Sequence, residues 1–209
     1  MLSTRASEDA AARRAIVPLV ARVFVITGPS GVGKGTLIRG LMQRLGGRAQ
    51  LQLSVSATTR APREGEHDGV DYHFLTREDF DARVAAGDFV EHADYAGRSY
   101  GTLRSELEER VRAGVPVVLE IEVQGARQVR AAMPEAVQVF IAPPSLQALR
   151  TRLIGRGTDG SEEVERRLGV AERELAARDE FAHVVVNDRL EDALEELMRI
   201  VAAELGDGA

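Results

Sequence analysis

The sequence contains no cysteine, so disulfide bonds and thiolate metal sites are excluded. Because a lack of cysteine suits proteins of a reducing compartment, we expect a cytoplasmic location. No stretch approaches the ~20 consecutive apolar residues of a membrane-spanning helix, so no membrane partner is expected. Residues 1–19 are charged and have no long apolar run, which predicts a flexible tail that is neither a secretory signal nor an anchor.

The sequence also lacks the features of several functional classes. A net charge of -6 over 209 residues argues against a nucleic-acid partner. No Ser/His/Asp arrangement for nucleophilic catalysis is evident, and the four histidines, His67, His73, His92 and His183, lack metal-ligand spacing. A composition of 44% apolar and 29% charged residues predicts one globular main domain that carries a small insertion.

A glycine-rich segment, residues 28–36, lies between a predicted strand at Val20–Thr27 and a predicted helix at Leu37–Leu45. Glycines allow backbone N–H groups to turn inward around a polyphosphate at the positive end of a helix dipole. The lysine adds a full positive charge that can follow the phosphate oxygens. The alternative is an ordinary glycine-rich turn. The segment predicts a polyphosphate-binding site formed by Gly28, Pro29, Ser30, Gly31, Val32, Gly33, Lys34, Gly35 and Thr36, which is an ATP site if the polyphosphate is a nucleoside triphosphate.

This segment departs from the usual phosphate-loop pattern at one position. GxxxxGK is normally followed at once by Ser or Thr, whereas Gly35 follows Lys34 here and the hydroxyl comes at Thr36. We therefore assign no direct side-chain ligand to a Mg²⁺ ion bound with the polyphosphate, and Thr36 could reach such an ion through a water molecule.

Two arginines, Arg60 and Arg63, stand three residues apart on a polar loop restrained by Pro62. Guanidinium groups bind phosphate oxygens in pairs, so these arginines could hold a second phosphate. The alternative is solvated charge paired with the neighbouring acids Glu64 and Glu66. Further along, we predict a helix from Thr76 to Ala86 that Gly87 ends, a strand at Phe89–Ala93, a turn over 98–102 and a helix at 103–113.

A second apolar strand, Val115–Glu122, ends in the carboxylates Glu120 and Glu122. Ligands of open α/β sheets bind at the carboxyl ends of parallel strands, so these groups are candidates for metal or ligand contact. Residues 122–125 also resemble the DxxG element of GTPases, although no NKxD motif follows.

The remaining elements are predicted from apolar runs and caps. A strand at Val137–Ala142 precedes a helix that Ser145 caps and that runs through Ile154, and a strand at Val184–Val186 precedes a helix at Leu190–Leu205. The arginines and glycines of residues 150–167 predict either a flap over a polyphosphate or an exposed helical hairpin.

Eight short motifs together identify a resemblance to a known family. They are Gly28 to Thr36, SATTRAPR from Ser56, GVDYHF from Gly69, FVE from Phe89, YGT from Tyr100, EIEVQG from Glu120, RGT from Arg156 and VND from Val186. In this order and spacing, from about residue 20 to the C-terminal helix, they resemble guanylate kinase. The resemblance implies an α/β three-layer P-loop kinase fold with a parallel core sheet, a GMP-binding insertion at about 54–102 and a mobile lid at about 155–167. It also implies transfer of a phosphoryl group from MgATP to GMP.

The resemblance assigns roles to individual residues. The GMP-binding residues would be Ser56, Arg60, Arg63, Tyr72, Glu91, Tyr100, Thr102 and Glu122. Catalytic charge would come from Lys34, Arg60, Arg152, Arg156 and Arg167, and Asn187 would lie near adenine. The family usually has Asp where this chain has Glu120 and Glu122, so the contacts of these two carboxylates are open.

Two other interpretations stay open from the sequence. The chain could be a catalytically silent guanylate-kinase-like module that binds protein partners, or a kinase for another small phosphorylated metabolite. The intact loop lysine favours catalysis over the first, and Glu91 with Thr102 favours GMP over the second. We expect ATP and GMP as partners, with a homodimer left open.

Overall fold

Two β-sheets organise the computed structural model, which describes residues 22–49, 51–95, 97–155 and 161–206. The strands are β1 (Val23–Thr27), β2 (Gln52–Leu53), β3 (Ala57–Thr58), β4 (His73–Phe74), β5 (Phe89–Tyr95), β6 (Arg98–Leu103), β7 (Val117–Glu120), β8 (Val137–Ala142) and β9 (His183–Val186). The helices are α1 (Lys34–Ala49), α2 (Arg77–Ala86), α3 (Arg104–Arg112), α4 (Val123–Ala132), α5 (Leu146–Gly155), α6 (Ser161–Ala176) and α7 (Leu190–Leu205), with a 3-10 turn at Arg178–Glu180.

The larger sheet has the order β2-β7-β1-β8-β9, and all of its strand pairs are parallel. Strand β1 is fully buried because helices cover both faces of the sheet. Phe24 and Ile26 face a core shared with α1, α5, α6 and α7, whereas Val23 and Val25 face a core shared with α3 and α4. This arrangement confirms the three-layer α/β fold with a parallel core sheet.

The smaller sheet has the order β4-β3-β6-β5 and packs on α2 through Phe80 and Phe89. Helix α2 has the predicted caps: the Thr76 side chain accepts a hydrogen bond from the backbone N–H of Asp79, and Gly87 is left-handed with φ 75°. Residues in this sheet and at its edge form one wall of the site described below.

The structure corrects the prediction of a turn over residues 98–102. These residues belong to strand β6, which pairs antiparallel with both β3 and β5, and helix α3 begins only at Arg104. The pairing partners lie as far as 44 positions away in the sequence, as Ala57 does from Gly101. Local turn residues therefore suggested a turn where long-range pairing produces a strand.

Other predicted boundaries move by a few residues. The strand predicted at Val115–Glu122 covers only Val117–Glu120, because Glu122 serves as the N-cap of α4 and accepts a hydrogen bond from the Gly125 N–H at 3.2 Å. The strand Val137–Ala142 and the closing helix Leu190–Leu205 have the predicted bounds. The predicted tail at residues 1–19 lies outside the described residues. Within them, no helix is both long and apolar enough to cross a membrane.

Candidate active site

The glycine-rich loop turns from β1 into α1 with a close backbone approach at its first glycine. Gly28 has φ 135°, and a Cβ atom at this position would lie 2.2 Å from the carbonyl oxygen of Ile141 on β8. A side chain is therefore excluded there on both conformational and steric grounds. The loop ends at the first turn of α1, whose N-terminus favours negative charge.

The ammonium group of Lys34 lies folded back on the loop. Its Nζ donates hydrogen bonds to the carbonyl oxygens of Gly28 at 2.6 Å and Pro29 at 3.2 Å. The cation is thus held at the mouth of the loop by backbone carbonyls. Because carbonyl oxygens are neutral acceptors, phosphate oxygens can compete for this group with a stronger, charge-assisted bond.

A cavity of about 550 Å³ connects the loop with the smaller sheet. It brings together predicted residues from four separate segments of the chain. Those that line it are Ser30, Gly31, Gly33, Lys34, Gly35 and Thr36 from the loop, Ser56 and Arg63 from the polar loop after β2, Tyr72, Glu91 and Tyr100 at the smaller sheet, and Glu122 at the start of α4. Glu120, which was left open as a metal or ligand contact, also lines the cavity.

The two arginines of the proposed phosphate clamp have different environments. Arg63 lines the cavity, whereas Arg60 forms an ion pair with Glu66, with Nη2 2.9 Å from Oε1. The Arg60 guanidinium also lies 5.1 Å from the centre of the Tyr72 ring. Glu66 additionally accepts a hydrogen bond from the Arg63 N–H at 2.7 Å. The Arg60 guanidinium, which the resemblance assigns to a phosphate, is thus paired with Glu66 in the structure.

Glu91 is a buried carboxylate that lines the cavity, with 3% of its surface exposed. Its Oε1 accepts a hydrogen bond from the Thr102 hydroxyl at 2.7 Å. Burial raises the pKa of Glu91 to about 7, an effect that the Thr102 hydrogen bond opposes and the nearby charge of Glu122 increases. A Cβ atom on Gly125 would lie 2.4 Å from Oε2 of Glu91, so only glycine lets α4 approach this carboxylate.

The raised pKa of Glu91 predicts a pH-dependent stability. A carboxyl whose pKa is higher in the folded state stabilises the fold fully below its unfolded pKa of about 4.5, and this stabilisation is lost as the pH rises through about 7. Relative to Glu91→Gln, the parent should lose on the order of 3 kcal/mol of unfolding free energy between pH 4.5 and pH 8.5. Urea denaturation of both proteins at the two pH values measures this difference.

The matched control is Glu195→Gln, which removes an exposed carboxylate on α7. We expect the difference in unfolding free energy between this variant and the parent to change little with pH. If Glu91→Gln and the parent keep a constant difference in unfolding free energy, Glu91 does not have a raised pKa in the folded protein.

Three predicted residues lie behind the loop and do not line the cavity. The side-chain amide of Asn187 donates to the Val32 carbonyl at 2.8 Å, and Nη2 of Arg167 donates to the Ser30 hydroxyl at 2.7 Å. Arg152 donates to the Val32 carbonyl at 3.4 Å. These contacts link β9, α6 and α5 to the loop. Of the lid predicted at about 155–167, residues 156–160, which include Arg156, lie outside the described residues, and residues 161–167 belong to α6.

The sequence analysis missed Glu174, a half-buried carboxylate of α6 that lines the cavity. Burial raises its pKa, while the charge of Lys34 and the backbone N–H of Ser30 oppose the rise. No local signal separates this glutamate from the other acids of a charged amphipathic helix. Its place beside the loop follows only from the packing of α6.

Two oxygen-bearing side chains could take part in Mg²⁺ binding. Thr36 and Glu120 both line the cavity next to Lys34, and the Glu120 carboxylate oxygens lie 3.5 and 3.6 Å from the Cβ position of Gly35. Hydroxyl and carboxylate oxygens are donors that Mg²⁺ accepts, directly or through water. Over the described ranges, no group of three or more His, Asp or Glu residues is placed to hold a metal ion.

Comparison with known proteins gives consistent matches. A family model described as guanylate kinase matches residues 20–204. A guanylate kinase of Synechococcus sp. strain CC9311 is 54% identical over 178 residues, which are 85% of this chain and 92% of that protein. A guanylate kinase of Frankia casuarinae is 52% identical over 177 residues, which are 85% and 95% of the two chains. The crystal structure of guanylate kinase from Anaplasma phagocytophilum is similar with a TM-score of 0.70 and 33% identity, covering 89% of this chain and 87% of that one.

Proposed function

Because the chain belongs to the guanylate kinase family, we propose that it transfers the γ-phosphoryl group of ATP to GMP, giving ADP and GDP. The observation that carries this proposal is one cavity that both the phosphate loop and the buried Glu91 line. A polyphosphate donor at the loop and a guanine base at Glu91 would place the acceptor phosphate between them. We also propose a cytoplasmic location, and a homodimer stays a prediction.

On the donor side, the loop would hold the β- and γ-phosphates of ATP through its backbone N–H groups and Lys34. Lys34 would exchange the carbonyl oxygens of Gly28 and Pro29 for phosphate oxygens. Asn187, which contacts the loop from behind, would lie near the adenine. Within the loop itself, binding of the donor would thus need rearrangement of the Lys34 side chain.

On the acceptor side, Ser56, Arg63, Tyr72 and Tyr100 would surround the GMP phosphate. Arg60 would join them by leaving Glu66, because a doubly charged phosphate attracts a guanidinium group more strongly than one carboxylate does. The attacking oxygen of GMP is already anionic near neutral pH, so no general base is required. Alignment of the two phosphates and neutralisation of their charge would supply the catalysis.

The transferred group carries charge that builds up between donor and acceptor. Mg²⁺ bound with ATP supplies charge neutralisation and a template for the phosphates, with Thr36 and Glu120 as the residues that would hold it, through water or directly. Arg167 is bonded to Ser30 of the loop, so a small movement of α6 would bring its guanidinium to the phosphates. Arg152 would reach them from α5, and Arg156 is proposed from sequence alone.

A coupled assay of ADP release tests this function across a panel of nucleoside monophosphates. GMP-dependent ADP release that far exceeds release with AMP, CMP or UMP is the expected result. Comparable release with another phosphorylated acceptor would favour a kinase for a different metabolite. No ADP release with any acceptor, in folded protein supplied with Mg²⁺, would favour the silent binding module.

The clamp arginines give a second prediction. Arg63→Ala should raise KM for GMP by about tenfold or more, because a charge-assisted guanidinium contact to the acceptor phosphate is lost, while KM for ATP should stay within about threefold. Arg60→Ala should act in the same direction. Steady-state kinetics with each substrate varied in turn measures both constants.

The control is Arg83→Ala, which removes an arginine of α2 that lies outside the cavity. It should leave both Michaelis constants near those of the parent. If Arg63→Ala raises the two constants equally, this arginine does not belong to the acceptor phosphate.

A further inference from the structure

Strand β5 is an edge strand of the smaller sheet, and its outer backbone groups at His92 are bonded to one side chain of α4. Nε2 of Gln128 donates to the His92 carbonyl at 2.7 Å, and its Oε1 accepts from the His92 N–H at 3.1 Å. A primary amide carries a donor and an acceptor side by side. Gln128 therefore pairs with β5 as one residue of a neighbouring strand would, at an edge that otherwise leaves such groups open.

This pair of hydrogen bonds lies next to the carboxylate that is proposed to read guanine. His92 directly follows Glu91, and Gln128 lies one turn along α4 from Gly125, where a Cβ atom would lie 2.4 Å from Oε2 of Glu91. Glu91 itself pairs across the sheet with Thr102. The Gln128 amide thus joins β5 to α4 close to Glu91. On β5 its partner His92 is the next residue after Glu91, and on α4 Gln128 lies one turn from Gly125.

Apolar packing alone does not fix the position of β5 on α4. Val90 of β5 shares a core cluster with Val123 and Ala126 of α4, and hydrophobic contact is nondirectional, so it tolerates small sliding of a strand along a helix. Hydrogen bonds have narrow distance and angle ranges. The two hydrogen bonds of Gln128 therefore fix the position of β5 along α4 more narrowly than the apolar contacts do.

We infer that Gln128 is a positioning residue for base recognition, which holds β5 on α4 so that the Glu91 carboxylate meets the guanine edge. The inference rests on the proposed function and adds to it a residue that does not line the cavity. Recognition by paired hydrogen bonds needs placement within about 0.5 Å. Loss of the Gln128 hydrogen bonds should therefore weaken contacts to the base more than contacts to the phosphates, which other elements would hold.

The test compares GMP with inosine monophosphate, whose base keeps N1–H and lacks the 2-amino group. Gln128→Met keeps the length of the side chain and removes both hydrogen bonds. We expect KM for GMP to rise about tenfold and the ratio of kcat/KM for GMP to that for inosine monophosphate to fall about fivefold, because the second contact of Glu91 is the one most sensitive to its placement. KM for ATP should stay within about twofold.

A second variant and a control keep the test decisive. Gln128→Glu retains an acceptor for the His92 N–H and loses the donor to the His92 carbonyl. Its ratio of kcat/KM for GMP to that for inosine monophosphate should therefore lie between those of the parent and Gln128→Met. Gln43→Met makes the same change on an exposed face of α1 and should match the parent. Circular dichroism establishes that each variant is folded.

The outcomes separate this inference from the proposed function. A merely structural Gln128 would lower kcat for both acceptors by one factor and leave their ratio unchanged, which would overturn the inference. Failure of both Gln128 variants to fold would overturn it as well, since the contact would then serve the fold. A parent protein without a preference for GMP over inosine monophosphate would contradict the proposed recognition of guanine by Glu91 itself.

Discussion

Replacing Lys34 by alanine is expected to lower kcat by about a hundredfold or more and to leave the protein folded. Charge stabilisation of a transition state in a partly dehydrated site is worth on the order of 3 kcal/mol per group, which corresponds to this factor. The fold should survive because the ammonium group is bonded to the loop carbonyls of Gly28 and Pro29, which water can replace. Steady-state kinetics and thermal unfolding of the variant measure the two effects.

The control is Arg44→Ala, which removes a cation from the same helix. Arg44 pairs with Glu191 at the protein surface, with 2.5 Å between Nη2 and Oε2, and exposed pairs contribute little to stability. Its turnover should match that of the parent. A Lys34→Ala variant with a kcat within a few-fold of the parent would contradict the catalytic role of the loop.

The composition of the chain offers an independent check on Lys34. Among its 27 lysine and arginine residues, Lys34 is the single lysine, so amine-directed reagents meet one side-chain amine and the chain terminus. Modification of Lys34 should abolish turnover, and bound ATP should slow this inactivation because phosphates cover the amine. Inactivation that ATP does not slow would place the nucleotide away from Lys34.

The glycine-rich loop could be predicted because its chemistry is contiguous in the sequence. An apolar strand, a glycine-rich turn and a helix follow one another from Val23 to Ala49. Hydrophobic periodicity predicts the strand and the helix, and the glycines predict the turn. The same is true of α2, whose cap residues Thr76 and Gly87 lie at its ends. Local signals of this kind do not depend on the rest of the chain.

Strand β6 could not be predicted from local signals. Its residues pair with segments on two sides, and the backbone N–H of Thr59 donates to the Ser99 carbonyl from 40 positions away. A short polar strand of this kind is stabilised by its neighbours and has no strong preference of its own. Only the assembled sheet shows that residues 98–103 are extended.

The site shows the same division between residue identity and environment. The resemblance assigned Glu91 to guanine, but the burial that raises its pKa to about 7 arises only in the assembled fold, in which Gly125 of α4, more than 30 positions later, lies near the carboxylate. The sequence left two alternatives for Arg60, a phosphate clamp or a pair with a neighbouring acid. The structure has the pair with Glu66, and the clamp stays a proposal. Glu174 reaches the cavity only through the packing of α6, and Gln128 meets β5 only in the assembled fold, so neither gave a local signal in the sequence.

Base selectivity is expected to depend on Glu91 more than on any other side chain. Guanine presents N1–H and the 2-amino group as donors, and an ionised carboxylate that already accepts one bond from Thr102 has lone pairs left for both. Adenine offers an unprotonated N1 and no 2-amino group, so AMP leaves a buried charge unpaired. Sites of this kind reject the wrong analogue by about 10⁴ in kcat/KM.

Glu91→Gln should lower the ratio of kcat/KM for GMP to that for AMP by about ten- to a hundredfold, because an amide has one acceptor oxygen and its NH₂ group faces the donors of guanine. Glu122→Gln is the comparison variant, because the resemblance assigns this second cavity carboxylate to GMP as well. If Glu91→Gln keeps the preference and Glu122→Gln loses it, base recognition belongs to Glu122 and Thr102. Equal use of AMP and GMP by the parent would contradict the assignment to guanylate.

The pH dependence of this selectivity follows from the pKa of Glu91. Above about pH 7 the carboxylate is ionised and accepts from guanine, whereas below it the neutral acid can donate its proton to N1 of adenine. The preference for GMP should therefore fall in the parent as the pH is lowered from 8.5 to 6, because the group changes from acceptor to donor. In Glu91→Gln the ratio should stay nearly constant over this range, since the amide does not titrate. Specificity constants for both nucleotides at the two pH values decide the matter, and a parent whose ratio does not change with pH would show that Glu91 is already ionised at pH 6.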